Sequence, residues 1–244
     1  MRTVATIEAR MAATRLPGKV MLPLSGAPML QRLVERVRRA RRIDEVVVAT
    51  TIAPPDAVIV GLCERIGCRV HQGPVEDITQ RLLDAAHGSD VIVQITGDCP
   101  LIDPSHIDET VRLLVDEGAD YAANSLHGCT FPIGFDVRAF TMSALLRAAE
   151  STDPIDRVHG SYFIYRNPAL FRLVGWDAPQ EWRARGLRLT VDEPADYELV
   201  RRVFEALYPL KADFDACDVI TLLRQRPDWV RINAAVHQKA VAEG

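Results

Sequence analysis

Short apolar runs rich in β-branched residues alternate with amphipathic segments, and this alternation constrains the fold more than any other feature of the sequence. The runs at 3–7, 45–50 and 90–95 have the composition of buried strands. Apolar residues recur at helical spacing between them, beginning after Pro28. Strands separated by helices predict a largely parallel sheet with right-handed crossovers and helices on both faces. We therefore expect a three-layer α/β fold.

Shorter elements follow the same pattern along the chain. Strands are predicted at 69–71, 121–124 and 187–190, and helices at 77–86, at 142–149, from Pro104, from Pro194 and in the tail after about residue 214. Asp56 and Asp103 stand where they would cap helices. The section at about 126–186 is less regular, and we expect an inserted arm, lid, acceptor section or dimer contact within a single domain spanning 1–244.

Composition narrows the class of protein. The chain has 244 residues, enough for one α/β domain, and a net charge of −4 that gives no sign of nucleic-acid binding. Five cysteines, an odd count without CxxC pairs, argue against a disulfide framework or a structural zinc site. No apolar run approaches the roughly 20 residues that a membrane span needs. We expect a cytoplasmic protein that binds neither nucleic acid nor membrane.

A basic loop, ARMAATRLPGK at 9–19, lies between the first strand and the first helix. Open α/β sheets bind ligands at that position, and small residues let backbone N–H groups approach an anion. Arg10, Arg15 and Lys19 add positive charge suited to a triphosphate, and the Pro-Gly corner predicts a turn that directs Lys19 back toward the strand end. The loop matches neither the Walker A motif nor GxGxxG, which disfavours simple ATPases and NAD oxidoreductases. A solvated basic turn is the alternative.

Two carboxylates are predicted at the same edge of the sheet as this loop. Asp98, in TGDCPLID, directly follows a central strand, and Asp192, in VDEP, stands between a short predicted strand and a helix. Carboxylates beside bound phosphates commonly hold Mg²⁺, because hard cations prefer oxygen ligands. The pair opposite a basic loop predicts a nucleotidyl-transfer site. The alternatives are a turn residue for Asp98 and a helix cap for Asp192.

Five motifs stand in order between the first strand and about residue 205: IEARMAATRLPGK, VVVATT, ITGDCPLID, FPIGFDV and LTVDEPADYELV. Together they resemble the cytidylyltransferase family of CMP-sugar-acid synthetases, and most of all its spore-coat polysaccharide biosynthesis branch. The resemblance implies a Rossmann-like nucleotidyltransferase fold with a mostly parallel mixed sheet and an inserted arm, usually a homodimer. It also implies a Mg²⁺-dependent reaction of CTP with a 2-keto-3-deoxy or nonulosonic sugar acid. The products would be a CMP-sugar for surface polysaccharide or glycan synthesis and pyrophosphate.

The resemblance also implies roles for individual residues on the nucleotide side. Arg15, Lys19, Asp98 and Asp192 would be catalytic, and the two aspartates would hold Mg²⁺. The positions implied to contact CTP are the backbone at Ile7 and Ala9; Arg10, Arg15 and Lys19 at the phosphates; Thr96, Gly97 and Asp98 beside the ribose and α-phosphate; and Asp77 and Arg81 near the nucleotide.

On the acceptor side, the resemblance points to three residues. Asp136, in IGFDV, matches the family's strand over the sugar pocket, and Arg157 and His159 match a segment at the acceptor. Arg157 would bind the acid's carboxylate in the bidentate geometry that suits a guanidinium. His159 would contact the acceptor or serve as a base, and a structural role is its alternative. The neighbouring aromatic residues are expected to pack in the core or a dimer contact.

The chain departs from the family pattern within the basic loop. Many members carry Gln or Pro where Glu8 stands, and a Gly or Ser followed by Ser where Ala12 and Ala13 stand. Glu8 would repel a triphosphate unless it turns away or binds metal. These differences bear on base choice and efficiency more than on the class of reaction. Two other functions stay open: transfer from another nucleotide or to another acceptor, such as an alditol phosphate or a non-sugar alcohol, and a non-catalytic nucleotide-binding dimer.

Overall fold

The structure, a computed structural model, describes residues 1–126, 128 and 130–238. The strands are β1 (Thr3–Glu8), β2 (Pro23–Leu24), β3 (Ala27–Pro28), β4 (Glu45–Thr51), β5 (Arg69–Gly73), β6 (Val91–Thr96), β7 (Tyr121–Ala123), β8 (Arg138–Thr141) and β9 (Leu173–Gly175). Seven of them form one sheet in the order β5-β4-β1-β6-β8-β7-β9, and β2 and β3 form a separate small hairpin. The mixed, mostly parallel sheet that the sequence predicts is confirmed.

Helices connect the strands of the large sheet. Their bounds are α1 (Met29–Val37), α2 (Ala57–Arg65), α3 (Ile78–Ala85), α4 (Pro104–Asp116), α5 (Met142–Ala148), α6 (Pro154–Val158), α7 (Tyr162–Arg166), α8 (Pro194–Leu207), α9 (Ala216–Gln225) and α10 (Pro227–Val230). Asp103 caps α4 as predicted, since its carboxylate accepts the Ser105 N–H at 2.8 Å. Within the described residues, none of these helices combines the length and apolarity needed to cross a membrane.

Strand register brings three parallel strand ends to one edge of the sheet. β1 lies between β4 and β6, and its residue Ile7 pairs with Val48 on one side and Ile95 on the other. β8 runs antiparallel to β6 and β7, so the first residues of β8 lie at the edge where β6 ends. The loops that follow β1 and β6 therefore meet at this edge, as expected for a ligand site in an open α/β sheet.

Alternate strand residues point to opposite faces of the sheet, which explains the three layers. Ala5 and Ile7 face one buried cluster that includes residues of α1, α2, α4, α8 and α9. Val4 and Ile92 face the other cluster, which includes residues of α3, α5 and α7. Because both faces are covered, the central strands are apolar over most of their length rather than alternately polar.

The section 126–186 departs from the prediction in its strands. Its residues supply β8 and β9 to the main sheet, and neither strand was predicted. The predicted strand at 187–190 is wrong, because only an isolated bridge joins Ile133 to Arg188. After that bridge the backbone leaves the sheet direction, and the Val191 N–H donates to the Asp98 carbonyl at 2.8 Å. The segment thus connects two loops and does not extend the sheet.

One buried histidine lies in a cluster of aromatic side chains. His106, in α4, is fully buried, and within the described part of the chain neither of its ring nitrogens has a hydrogen-bond partner. Its ring centroid lies between 4.8 and 6.0 Å from those of Phe131, Phe135, Trp176 and Trp182. Burial lowers the pKa of His106 to about 4, against the opposing influence of Asp103. The folded protein therefore holds this imidazole neutral.

We predict that His106 makes the protein sensitive to acid. Its folded pKa of about 4 lies below the ordinary value of 6.5, so the unfolded chain binds the proton more readily. The stabilisation is complete above about pH 6.5 and decreases as the pH falls toward 4, by about 3 kcal/mol in all. Urea denaturation of His106→Leu should show a shallower pH dependence in this window. The exposed His87→Leu is the matched control, and equal slopes for His106→Leu and the parent protein would contradict the prediction.

Candidate active site

A cleft of about 310 Å³ opens at the edge of the sheet where β1 and β6 end. The predicted residues that line it are Ala9, Arg10, Arg15, Lys19, Arg81, Thr96, Gly97, Asp98 and Asp192. Ile7 is buried within β1 beside it. The basic loop and both predicted carboxylates therefore share one cavity, as the sequence pattern indicated.

Backbone hydrogen bonds to Met11 shape the basic loop. The Met11 carbonyl accepts the N–H groups of Ala13 at 2.9 Å and Gly18 at 2.8 Å. Gly18 has a φ of +72°, a left-handed conformation that glycine adopts without steric cost. The chain then enters a short 3₁₀ turn that begins at Lys19. The loop folds back on itself, and Lys19 is directed toward the strand ends as predicted.

Asp56 anchors this loop and does not cap α2. Its buried carboxylate accepts the Met11 N–H at 2.7 Å and the Thr51 hydroxyl at 2.5 Å. No side-chain hydrogen bond caps the start of α2 among the residues that the structure describes, so the predicted cap role is wrong. The physical reason is that Asp56 belongs to a 3₁₀ turn, 54–56, that carries its carboxylate toward the end of β4 and the loop.

The Lys19 ammonium lies between the two predicted carboxylates. Its Nζ donates to Asp98 Oδ2 and to Asp192 Oδ1, both at 2.9 Å. Burial disfavours charge on Lys19, but the two carboxylates outweigh it and raise the pKa of the ammonium. Burial likewise opposes ionisation of Asp192, yet Lys19 and the flanking arginines lower its pKa. Lys19 and Asp192 are therefore both charged at neutral pH.

Two arginines hold the other oxygen of Asp192. Arg15 Nη2 lies 3.1 Å and Arg188 Nη2 lies 2.6 Å from Asp192 Oδ2. Arg188 is itself buried and donates through Nε to Asp196 Oδ1 at 2.9 Å. Asp196 also accepts the backbone N–H groups of Asp192 and Glu193, each at 3.0 Å. Asp192 is thus fixed with its carboxylate in the cleft, while Glu193 occupies the cap position of α8.

The sequence did not identify Arg188 and Asp196 as part of this site. An acidic residue three positions after the cap is a recognisable helix-start signal, and Asp196 follows Glu193 at that spacing. Arg188 carries no such signal, because its role depends on the irregular segment before Asp192.

Gly97 allows the ends of β1 and β6 to approach closely. Its N–H donates to the Glu8 carbonyl at 2.8 Å. A Cβ atom at Gly97 would lie 2.5 Å from that carbonyl oxygen, closer than real Cβ contacts occur. The glycine in TGD is therefore a steric requirement for placing Asp98 beside the basic loop.

We predict that Gly97→Ala disrupts the site. The new methyl group collides with backbone that cannot rotate away, so the free energy of unfolding should fall by about 1–3 kcal/mol, and CTP binding should weaken. Gly61→Ala in α2 is the matched control, because its methyl would meet only the end of the Arg65 side chain at 3.6 Å. Alanine in that helix should leave the protein as stable or about 1 kcal/mol more stable. Equal unfolding curves for both variants would contradict this account.

Asp77 and Arg157 form an ion pair with each other. Both Nε and Nη2 of Arg157 donate to Asp77 Oδ2, and Nη1 donates to the Ala149 carbonyl at 2.6 Å. Asp77 also caps α3 by accepting the Gln80 N–H at 2.9 Å. Neither residue lines the cleft. The guanidinium predicted to bind an acceptor carboxylate is therefore already engaged by Asp77.

The other predicted acceptor residues also lie off the cleft lining. Asp136 accepts the Gly134 N–H at 3.1 Å, just before β8. The His159 ring lies 6.1 Å from the Tyr162 ring, centroid to centroid. Their roles in acceptor binding stay predictions. Tyr165 packs against the buried cluster on the α3 side of the sheet, in agreement with the expected packing role of this aromatic stretch.

Glu8 lines the cleft but is turned away from the basic loop's cations. Its Oε1 accepts the Gln94 amide at 2.5 Å. Burial raises the pKa of Glu8, and the Gln94 hydrogen bond and the nearby Arg81 and Arg138 charges oppose that rise. Arg81 belongs to the lining too, and it donates to the Pro74 carbonyl at 2.7 Å.

Comparison with known proteins agrees with this geometry. A cytidylyltransferase family profile matches residues 4–217. An uncharacterised protein of Methanocaldococcus jannaschii is 32% identical over 249 residues, covering 100% of this chain and 99% of its own. The spore coat polysaccharide biosynthesis protein SpsF of Bacillus subtilis is 32% identical over 231 residues, covering 91% and 94%. The chain therefore belongs to the cytidylyltransferase family.

Solved structures give the same result for the fold. A cytidylyltransferase from Leptospira borgpetersenii superposes with a TM-score of 0.88 at 31% identity, covering 98% of this chain and 99% of that one. CMP:2-keto-3-deoxy-manno-octonic acid synthetase, in complex with CTP, superposes with a TM-score of 0.63 at 20% identity, covering 84% and 99%. A 3-deoxy-manno-octulosonate cytidylyltransferase of Geobacter sulfurreducens matches only 49% of this chain and 48% of its own, at 41% identity over 123 residues.

Proposed function

We propose that this protein joins CTP to a sugar acid, yielding a CMP-sugar and pyrophosphate for surface polysaccharide or glycan synthesis. The observation that carries the proposal is the cleft in which Lys19 bridges Asp98 and Asp192. Membership of the family supports CTP as donor. The similarity to a spore coat polysaccharide protein and, over half the chain, to a 3-deoxy-manno-octulosonate cytidylyltransferase supports a sugar-acid acceptor.

The residues of the cleft suit transfer of a nucleotidyl group. An acceptor hydroxyl oxygen attacks the α-phosphorus of CTP, and the bond from that phosphorus to the pyrophosphate oxygen breaks. Arg10, Arg15 and Lys19 would hold the triphosphate and stabilise the charge that develops on pyrophosphate. The tight contact at Gly97 would fix the α-phosphate beside Asp98. Alignment and charge stabilisation, rather than covalent catalysis, are therefore the chain's contribution.

Asp98 and Asp192 also fit a Mg²⁺ ion. Their carboxylates already converge on one cation, the Lys19 ammonium, at 2.9 Å each. No cluster of three or more acidic, histidine or cysteine side chains suited to a metal occurs in 1–126, 128 and 130–238. Two carboxylates completed by phosphate oxygens and water are a usual donor set for Mg²⁺. When bound, the ion would act as a Lewis acid on the phosphate oxygens, and Lys19 would be released to contact phosphate.

We extend the proposal to the assembly and location of the protein. The family resemblance supports a homodimer in which the section 126–186 contributes an acceptor or subunit contact within a single domain of 1–244. The activity draws on CTP and Mg²⁺, which supports a cytoplasmic location.

Calorimetric titration with CTP, UTP, ATP and GTP in the presence of Mg²⁺ tests the nucleotide. We expect CTP to bind at least about ten-fold more tightly than the others. Arg15→Ala should weaken CTP binding by about 10- to 100-fold, because a charge-assisted contact to phosphate is lost. The exposed Arg172→Ala is the control and should bind CTP normally. Absence of triphosphate binding would contradict the proposed function, and affinity indifferent to Arg15 would contradict the role of this residue at the phosphates.

Pyrophosphate release with CTP and a panel of sugar acids tests the role of the two aspartates. Asp98→Asn and Asp192→Asn preserve side-chain shape but remove charge, and each should lower kcat by about 100-fold or more. Both should also raise the Mg²⁺ concentration needed for half-maximal rate. Asp116→Asn, at an exposed position on α4, controls for loss of surface charge. If either cleft variant retained the parent's rate and Mg²⁺ dependence, the assigned role would be wrong.

A further inference from the structure

Arg138 lies at the first position of β8, and its guanidinium has no hydrogen-bond acceptor among the residues that the structure describes. It is the first residue of β8 and pairs with Gln94 of β6 and Ala123 of β7. Its side chain is partly buried. In the described part of the chain, no residue lies close enough to its guanidinium to form a hydrogen bond or an ion pair. A guanidinium offers five N–H donors in a rigid plane, so leaving them unused in a partly buried place is costly.

The surroundings of Arg138 keep it charged. Burial opposes its charge, but Tyr121, Asp136, Tyr165 and Glu8 together raise its pKa. The two carboxylates among them have other hydrogen-bond donors, since Glu8 accepts Gln94 and Asp136 accepts the Gly134 N–H. Arg138 is therefore held as a cation by nearby charge without being consumed by an ion pair.

Two other arginines near the site are already engaged. Arg15 contacts Asp192 and Glu193, and Arg157 is paired with Asp77. Arg15 and Lys19 of the loop contact the carboxylates at the proposed phosphate side. Arg138 does not line that cleft; it lies beyond β6, on the side of the sheet away from β1 and the loop, and Glu8 of the cleft lining is near its charge.

We propose that Arg138 binds the carboxylate of the acceptor and thereby selects sugar acids over neutral sugars. This inference rests on the proposed function and adds to it a residue that recognises the acceptor. The planar guanidinium can hold a carboxylate through two parallel hydrogen bonds. The Tyr165 hydroxyl, on α7, is a further donor on the same side. Arg138 would thus bind the acceptor carboxylate, the role that the family resemblance implied for Arg157.

The nearby Glu8 and Asp136 sharpen this selection. Both influence the charge of Arg138, so an acceptor carboxylate enters beside two acidic side chains and must be held there by its contacts with the guanidinium. Glu8 is also faced by Arg81 and is hydrogen-bonded to Gln94. An acceptor without an acid group would gain nothing from Arg138.

Acceptor binding can be measured separately from turnover. The protein would first be saturated with a CTP analogue that carries a methylene bridge between the α- and β-phosphorus atoms. It would then be titrated calorimetrically with 3-deoxy-manno-octulosonate, with N-acetylneuraminate and with the methyl ester of each. We expect at least one acid to bind about 100-fold more tightly than its ester. In Arg138→Gln that ratio should fall to below about three-fold, while affinity for the CTP analogue changes less than three-fold.

Two further variants make the result specific. Arg138→Lys retains the charge but not the bidentate geometry, and it should recover part of the preference for the acid. Arg112→Gln, at a partly exposed arginine on α4 that contacts Glu109 and Asp116, should behave as the parent protein. In pyrophosphate-release assays Arg138→Gln should raise the acceptor KM far more than it lowers kcat.

The outcomes separate this inference from the proposed function. CTP-analogue binding followed by an unchanged preference for the acid in Arg138→Gln would overturn the role of Arg138 and leave the cytidylyltransferase assignment intact. Failure of the parent protein to bind any of the acids in the presence of the analogue would also overturn it. Loss of analogue binding in folded Arg138→Gln would place the residue at the nucleotide instead.

Discussion

The ammonium of Lys19, shared between two carboxylates, is the interaction on which the cleft depends. Its partners come from distant parts of the chain, 79 residues away at Asp98 and 173 residues away at Asp192. Two partly buried carboxylates so close together would repel each other without a cation between them. The same arrangement readies the site for its ligands, because any cation that replaces the ammonium finds both carboxylates already in place.

Further charged side chains surround that contact and hold its partners in place. Asp192 is held by Arg15 and Arg188, and Arg188 is in turn held by Asp196. Removing one member of such a buried network leaves another charge uncompensated, which costs more than the pair itself contributes. Asp98 is positioned by a backbone hydrogen bond instead, because its carbonyl accepts the Val191 N–H at 2.8 Å. Two loops are thereby tied together independently of their side chains.

The features that were predicted correctly from the sequence depend on residues that are neighbours along the chain. The strands β1, β4 and β6 have at least six residues each and apolar, β-branched centres, and the basic loop and Asp98 come soon after two of them. By contrast, β8 and β9 have only four and three residues, too few for a periodic pattern. The errors at Asp56 and at 187–190 share one cause: each was judged by its neighbours in sequence, whereas each is determined by a partner far along the chain. Arg188 and Arg138 escaped notice for the same reason.

Many family members carry Gln or Pro where this chain has Glu8, and the surroundings of Glu8 in the fold explain how its carboxylate is accommodated. A carboxylate at the end of β1 would repel a triphosphate if it faced the loop. The register of the sheet places Glu8 beside Thr96, one step from Gln94, and the side chain turns to that amide and toward Arg138. Glu8 is therefore held by Gln94, away from Arg15 and Lys19. In the proposed site the charged groups for the nucleotide and those for the acceptor are separate sets, so acceptor preference could change without loss of triphosphate binding.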